Sequence, residues 1–575
     1  MRKKWFAFGC LSSIIIFVIL MIAIGASLAR LGKKPKRMNP NTYLELKISG
    51  ELTEYNEIKD SFSFDFLGES KMATHDIVQK INSATHDPSV RGIIIEPFFI
   101  SSGFANLNEI KNSIKKFKES GKSVYSFLEL AGNKDYFLAS EASEIYLNPS
   151  ASAGLFLTGV GTNILFYKDI LDKIGVEMNV IHAGKYKGFG ETYVRNSFSE
   201  PVRENIHQLF GQIYEKMLFD LSESRNISYD EIKNIYEQRK ELFINKDAAL
   251  NYKLVDKLSF KEDMLTELNI KENQLLCMSK YKAKSNKTSK NRIAVIYAQG
   301  SITKQGSSQQ TIISAKRMGK IIEKIQKDNT IKAVVIRVNS PGGSALESEI
   351  ILDKIAKLKA KIPIIISMGN VAASGGYYIA SNANHIFADP YTITGSIGVV
   401  GMFANLEDLS DKIGINSEKL SYGKYSNAFD IWEKPNDDFL KSMQNGIDQT
   451  YIEFKQRVSD GREIAFEDVE DIAQGQVWSC EMAIAKKLVD EKGLLQDAVK
   501  KASEIAQIPS YMIEYFPKQK TMTDILLEKF DIEIISDIVI DNKILKIREI
   551  KKATLMLQNI EDEPIQARMP FMLNK

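Results

Sequence analysis

The sequence predicts an α/β fold made by tandem duplication of one domain behind a single N-terminal transmembrane helix. Three observations predict it. Short β-branched apolar runs alternate with helical patterns, several segments recur at one long offset, and the chain opens on an uncharged stretch. At 575 residues the chain is also long for one core and points to two or more domains.

The uncharged stretch comes first. MRKK is followed by WFAFGCLSSIIIFVILMIAIGASLA at 5–29. As a helix this segment spans roughly 37 Å, enough for a hydrocarbon core of about 30 Å with some tilt. A cleaved signal peptide would have a shorter apolar region and a small-x-small cut site. Ala-Ser-Leu-Ala at 26–29 is only a weak version of that site. Residues 1–40 are therefore read as an anchor with its flanks, in contact with lipid through 5–29. Charge does not settle its orientation, because Arg2, Lys3 and Lys4 precede it while Arg30, Lys33, Lys34, Lys36 and Arg37 follow.

Behind the anchor the chain repeats itself. RGIIIE at 91–96 recurs as KAVVIR at 332–337, LDKIGVE at 171–177 as SDKIGIN at 410–416, and AGKYKGFG at 183–190 as YGKYSNAF at 422–429. Two copies at an offset of about 240 residues mean domain duplication, not a solenoid. The expected units are 41–278 and 293–515. Between them SKYKAKSNKTSKNR at 279–292 is polar and basic, as suits an exposed linker. Residues 516–575 have no counterpart in the first unit. Within them DILLEKFDIEIISDIVI at 524–540 is apolar enough to pack on the body or to help assemble subunits.

In the second unit IAVIYAQG at 293–300, AVVIRVN at 333–339 and PIIISM at 363–368 are unbroken apolar runs, as expected of strands buried on both faces. SALESEIILDKIAKLKAK at 344–361 lies between the last two. Leu346, Ile350, Ile351, Ile355 and Leu358 give it a helical apolar stripe read as core, and Ser344 with Glu347 fits a capping box. This β-α-β rhythm places chemistry in the loops that leave the strand ends.

Two such loops stand out. NSPGGSA at 339–345 carries Gly342 and Gly343, whose conformational freedom lets backbone N–H groups point outward as an oxyanion hole requires. GNVAASGG at 369–376 places Ser374 at a helix start, where serine is also an ordinary N-cap. Gly375 follows it without a side chain to obstruct an approaching carbonyl. In the first unit the corresponding regions are FISSGFA and LAGNKDYFLAS at 130–140, and aligning YFLAS with YYIAS sets Asn133 opposite Ser374.

A nucleophilic serine needs a base. His385, eleven residues on in SNANHIFADP, reads as a polar residue at a helix end. GKYKGFGE at 184–191 against GKYSNAFD at 423–430 sets Lys187 opposite Ser426. The first unit thus keeps a lysine and lacks the serine, and the second does the reverse. This reciprocal loss predicts one composite site with Ser374 as nucleophile and Lys187 as base. The lysine must be buried for its pKa to fall toward neutrality. Lys185 is a rival, but Lys424 matches it in the second copy, so it does not follow the reciprocal pattern.

Composition narrows the classes. A formal charge of +3 gives no basic field for nucleic acid. Cys10, Cys277 and Cys480 are odd in number and far apart, and His75, His86, His182, His207 and His385 form no metal-ligand spacing. No metal and no cofactor is expected.

NSPGGSA, NVAASGGYYIAS and YTITGSIGVVG at 391–401, with GKYKGFGE upstream, resemble the long, duplicated form of the signal peptide peptidase A family, also called protease IV. The resemblance covers roughly residues 41–515 and the anchor. It implies a Clp-protease-like, crotonase-type domain in each half, with a Ser–Lys dyad of Ser374 and Lys187. It implies oxyanion donors at Gly375 and at Gly343 or Gly342, and Ser396 as a lysine-orienting residue. It further implies a membrane-anchored homo-oligomer, a tetramer, that hydrolyses cleaved signal peptides on the extracytoplasmic side of a bacterial-type inner membrane. Two other classes stay open at this point: a crotonase-like acyl-CoA enzyme, which needs neither anchor nor Ser–Lys pair, and a non-catalytic membrane scaffold.

Overall fold

The computed structural model describes residues 40–57, 72–283, 289–304, 312–520 and 565–568. The anchor at 5–29 and the apolar segment at 524–540 lie outside the described residues. Among the described residues no helix is long and apolar enough to cross a membrane.

Each unit is built on a parallel sheet. The first runs Leu275–Cys277, Thr42–Gly50, Val90–Ile100, Ser123–Leu128, Glu144–Leu147, Lys257–Leu258. The second repeats that order with Met512–Phe516, Arg292–Gln299, Ile331–Ser340, Ile364–Ala373, His385–Ala388 and Glu491–Lys492. The unbroken runs are explained by cover on both faces: Ile93, Ile94 and Ile95 in one sheet and Val334, Val335 and Ile336 in the other are fully buried.

The duplication reaches individual hydrogen bonds. Tyr136 donates its hydroxyl to Leu254 O and Tyr377 to Leu488 O. Asp256 accepts from Ile145 N and pairs with Arg225, while Asp490 accepts from Ile386 N and pairs with Arg462. Each unit also carries a helix of 26 residues, Glu200–Arg225 and Asp437–Arg462, and both end on a left-handed residue, Asn226 and Glu463.

Two features fuse the units. Strand Glu177–Ala183 leaves the first unit and pairs antiparallel with Val399–Asn405 of the second, from Ala183 opposite Val399 to Glu177 opposite Asn405. The second is a buried charge cluster. The Arg337 guanidinium is 3.1 Å from Glu54 and 3.0 Å from Glu109, both carboxylates belonging to the first unit. Asn108 donates to Asp389 across the same boundary at 2.9 Å.

A further short sheet orders Ile312–Ile313, Ser301–Ile302, Gly342–Ser344, Ile565–Arg568, Val399–Asn405 and Glu177–Ala183. Residues 565–568 thus lie between the Gly342–Ser344 edge and the Val399–Asn405 edge, antiparallel to both.

Three expectations change. The helix spans Ala345–Lys359, and its core stripe is Ile351, Leu352, Ile355 and Leu358, whereas Leu346 is 65% and Ile350 36% exposed. Both lie on the side of the helix turned away from the sheet, so they are not core. Ser344 does cap Glu347 N at 3.1 Å, but the Glu347 carboxylate accepts from Ala315 N at 2.6 Å, so only half of the capping box forms. The start of the linker is also not exposed: Tyr281 is buried in the first unit and donates to Asp87 at 3.2 Å.

Candidate active site

Strand Ile364–Ala373 lies inside the second sheet and ends at Ser374, from which the short helix Gly375–Ala380 departs. The turn is tight. Ser374 sits at φ 56°, ψ −119°, a conformation that costs a non-glycine residue about 1–3 kcal/mol. Its N–H donates to Gly395 O at 2.7 Å, which holds the turn. A Cβ on Gly376 would come 2.6 Å from Ser340 O, so that position accepts only glycine at this approach of helix to strand. The Ser374 hydroxyl does not cap the helix that follows. The N-cap explanation of this serine therefore fails.

The hydroxyl instead meets Lys187. The two are 2.7 Å apart, Nζ to Oγ, with Lys187 2% and Ser374 0% exposed. Lys187 Nζ also contacts Ser396 twice, at 2.9 Å to its carbonyl oxygen and 3.1 Å to its Oγ. Burial pushes the Lys187 amine well below the ordinary lysine range. In the neutral form its two hydrogens serve the two Ser396 oxygens, and the lone pair is left to take the Ser374 proton. Ser396 is itself in a left-handed conformation, φ 52°, tied by its N–H to Gln476 O at 2.6 Å.

The lysine reaches the serine on an arm. The arm starts as strand Glu177–Ala183 on the second unit's edge, turns at Gly184 with φ +103°, and is pinned where Tyr186 N donates to Gln474 O at 2.9 Å. Gly475 lies against it so closely that a Cβ would stand 2.6 Å from Lys187 N. Gln474 and Gly475 were not among the expected site residues.

The glycine loop lies beside this pair. Gly342 and Gly343 have φ +97° and +153°, and a Cβ on Gly343 would come 2.0 Å from Ile302 O. The Gly342 N–H is taken by Ser340 Oγ at 3.1 Å. Of the glycine pair, this leaves Gly343 as the better placed donor.

The residues weighed against the pair lie elsewhere. His385 opens the strand His385–Ala388 and stands 3.4 Å from Glu491. Lys185 is exposed with its Nζ over the Tyr186 ring at 5.1 Å. Ser426 is exposed, its hydroxyl turned to Gly423 O. In the first unit Asn133 is consumed locally, donating to Gly159 O at 2.8 Å and Thr158 Oγ1 at 3.1 Å while accepting from Gly159 N.

Comparison with known proteins identifies the family. Residues 116–275 and 356–509 match peptidase family S49. "Protease 4" of Haemophilus influenzae is 32% identical over 87% of this chain and 86% of its own length. "Serine protease SPPA, chloroplastic" of Arabidopsis thaliana is 30% identical over 82% of this chain and 70% of its own. A solved membrane-bound stomatin-specific protease in complex with a substrate peptide is 19% identical, with a TM-score of 0.28, over 43% of this chain and 100% of that one.

Proposed function

The chain belongs to peptidase family S49 and is a serine peptidase, and from that premise we propose that it is a membrane-anchored endopeptidase working through a Ser374–Lys187 dyad. One observation carries the dyad: a fully buried lysine amine lies 2.7 Å from a buried serine hydroxyl that caps nothing. Each repeat is of the Clp-protease and crotonase type. The repeat at 41–278 supplies the base and the repeat at 293–515 the nucleophile.

In the first step Ser374 Oγ attacks the carbonyl carbon of an extended peptide while neutral Lys187 accepts the hydroxyl proton. The N–H groups of Gly375 and Gly343 receive the negative charge that forms on the carbonyl oxygen. Loss of one such donor costs about 10²–10³ in turnover. Lys187 then gives its proton to the leaving amine. Water, deprotonated by the same lysine, releases the acyl group and restores the serine. Ser396 keeps the amine aimed at Oγ throughout. No charged partner is needed, because burial alone supplies the low basicity of Lys187.

The substrates are apolar peptides, above all signal peptides left in the membrane after secretion. The uncharged segment at 5–29 would hold the body at the surface where such peptides are released, on the extracytoplasmic side of a bacterial-type inner membrane. Assembly into a homo-oligomer, a tetramer, completes the reading.

The test is hydrolysis of an apolar peptide ester by the full chain in detergent, followed against pH for wild type, Ser374→Ala and Lys187→Ala. Both variants should lose activity with their fold intact, and the wild type should show an acid limb set by a group titrating well below an ordinary lysine. Full activity in Ser374→Ala would sink the assignment. Activity in Lys187→Ala alone would keep the nucleophile and remove the base.

A further inference from the structure

We propose that Asn339 is a positioning residue for the nucleophile, through which Glu54 of the first unit fixes the strand bulge that aims Ser374. The inference rests on the reading of Ser374 as nucleophile and deepens it. The first unit then holds both members of the dyad in place, the lysine by its arm and the serine through Asn339.

The strand that carries Ser374 changes neighbours shortly before it. Up to Met368 it pairs with Val338 on one side and with His385–Ala388 on the other. From Val371 it pairs with Ile393–Gly395, and Ala372 stands opposite Ser340. Residues 369–371 therefore face the single residue Asn339. Such a bulge re-aims the chain, and it leaves backbone groups outside the ladder that need other partners.

Asn339 supplies one. Its Oδ1 accepts from Val371 N at 3.1 Å, three residues before Ser374. Its Nδ2 donates to Glu54 Oε1 at 3.1 Å. A peptide N–H only donates and a carboxylate oxygen accepts, so the amide has one orientation here. Glu54 also lies against the bulge itself: a Cβ on Gly369 would come 2.5 Å from its Oε1 and 3.1 Å from Asn339 Cβ. Glu54 is held in turn by the second unit. Its Oε2 accepts from Arg337 Nε at 3.1 Å, and Gln299 Oε1 accepts from Glu54 N at 3.1 Å and Tyr55 N at 3.2 Å.

The other copy lacks this device. The match of RGIIIE to KAVVIR sets Phe98 opposite Asn339, and Phe98 is 47% exposed. The turn at Asn133 is held instead by Asp135, which accepts from Gly132 N at 2.8 Å and from Ile100 N at 2.9 Å. The asparagine thus accompanies the serine. Loss of its bond to Val371 frees the bulge, and movement there reaches Oγ through Ala372 and Ala373. Lys187 is held separately, by Ser396 and by its arm.

Ester hydrolysis by the full chain in detergent is followed against pH for wild type, Asn339→Ala, Glu54→Asp, Asn384→Ala and Ser374→Ala, with urea unfolding in parallel. Asn384 is the control, because its Oδ1 accepts from Ile364 N at 2.8 Å at the far end of the same strand. Asn339→Ala should lower kcat about a hundredfold, the cost of misplacing a reacting group by about 1 Å, with KM little changed. Its acid limb should stay where the wild type has it, because Lys187 keeps its contacts. Asn384→Ala should lower the unfolding midpoint by a similar amount and leave kcat unchanged. Glu54→Asp keeps a charge beside Arg337 but withdraws it from Asn339, and should lower kcat about tenfold. It carries the test if Asn339→Ala does not fold. Wild-type kcat in Asn339→Ala, or in Glu54→Asp where that variant stands in, overturns the proposal. An equal loss of kcat in Asn384→Ala also overturns it, by tracing the effect to destabilisation. A moved acid limb in Asn339→Ala overturns it by placing the action on Lys187. In these three cases Ser374→Ala is inactive and the dyad stands. Ester hydrolysis by Ser374→Ala would overturn the dyad and this inference together.

Discussion

Lys187 Nζ lies 2.7 Å from Ser374 Oγ although the residues are 187 positions apart and belong to different copies of one duplicated domain. Neither copy can assemble the pair alone. The first has Asn133 where the serine would be, closed on itself through Thr158 and Gly159. The second has Ser426 where the lysine would be, exposed in a loop. Strand Glu177–Ala183 resolves this by pairing with Val399–Asn405 of the other copy and delivering Lys187 across the boundary. Each copy thus contributes one member of the Lys187–Ser374 contact.

Replacing Lys187 by methionine should abolish ester hydrolysis and stabilise the protein. In the unfolded chain a lysine titrates near 10.5, whereas burial holds Lys187 well below that value in the folded state. Between the two values the unfolded state binds more protons, so wild-type stability rises with pH there. Lys187→Met removes the penalty. Its advantage should vanish as pH approaches 10.5 and grow as pH falls from there, by about 1.4 kcal/mol per pH unit until the folded-state value is reached, read by urea unfolding at several pH values. A variant less stable than wild type at neutral pH would mean that packing of the stem outweighs burial of the amine.

Ser396→Ala tests positioning. The Ser396 hydroxyl accepts from Lys187 Nζ at 3.1 Å, and such a bond favours the charged amine. Its loss should move the acid limb of kcat to lower pH, while the remaining bond to the Ser396 carbonyl oxygen keeps some aim. We expect kcat to fall about tenfold with KM nearly unchanged. An unmoved acid limb would show that the hydroxyl does not act on the lysine.

How much of this was legible in the sequence depends on what each residue answers to. The strands were legible because two covered faces demand unbroken runs such as Ile93–Ile95 and Val334–Ile336. The contact of Lys187 with Ser374 was legible only by comparing copies, since in sequence Ser374 alone reads as an ordinary cap and Lys187 alone as a surface lysine. Leu346 and Ile350 misled because helical spacing marks an apolar stripe without saying which side the sheet covers. The strained φ of Ser374 and the pairing of Glu177–Ala183 with Val399–Asn405 are tertiary and leave no local pattern. Gly475 could have been found by the same comparison. Aligned on the caps Asn245 and Ser479, which hold Ala248 N and Met482 N, it stands opposite Glu241.

The buried charges at the boundary should be tested for stability. Arg337→Leu leaves Glu54 and Glu109 buried without their cation, and burial already pushes Glu109 upward. Breaking such a cluster costs about 3–5 kcal/mol. Urea unfolding should show that loss above the pH at which Glu109 ionises, and a smaller one in acid where Glu109 takes up a proton. Equal losses at both pH values would assign the effect to packing.

Gly475→Ala tests whether the lysine is delivered by backbone fit. Gly475 has φ +79°, which alanine tolerates poorly, and its Cβ would stand 2.6 Å from Lys187 N and 2.7 Å from Lys187 Cα. These are backbone atoms of the arm and cannot rotate aside. The arm is also pinned next door, where Tyr186 N donates to Gln474 O at 2.9 Å, so the displacement has to pass along to Nζ. A shift of about 1 Å in a reacting group costs about 10² in rate. The strain itself costs only about 1 kcal/mol. We therefore expect kcat to fall about a hundredfold while the unfolding midpoint in urea moves little. Gly423→Ala is the control: it also has positive φ, +95°, in the copy of the arm that has Ser426 in place of Lys187, but with nothing within 4 Å. It should leave kcat unchanged. Equal losses in the two variants would mean that backbone strain, and not contact with Lys187, accounts for the effect.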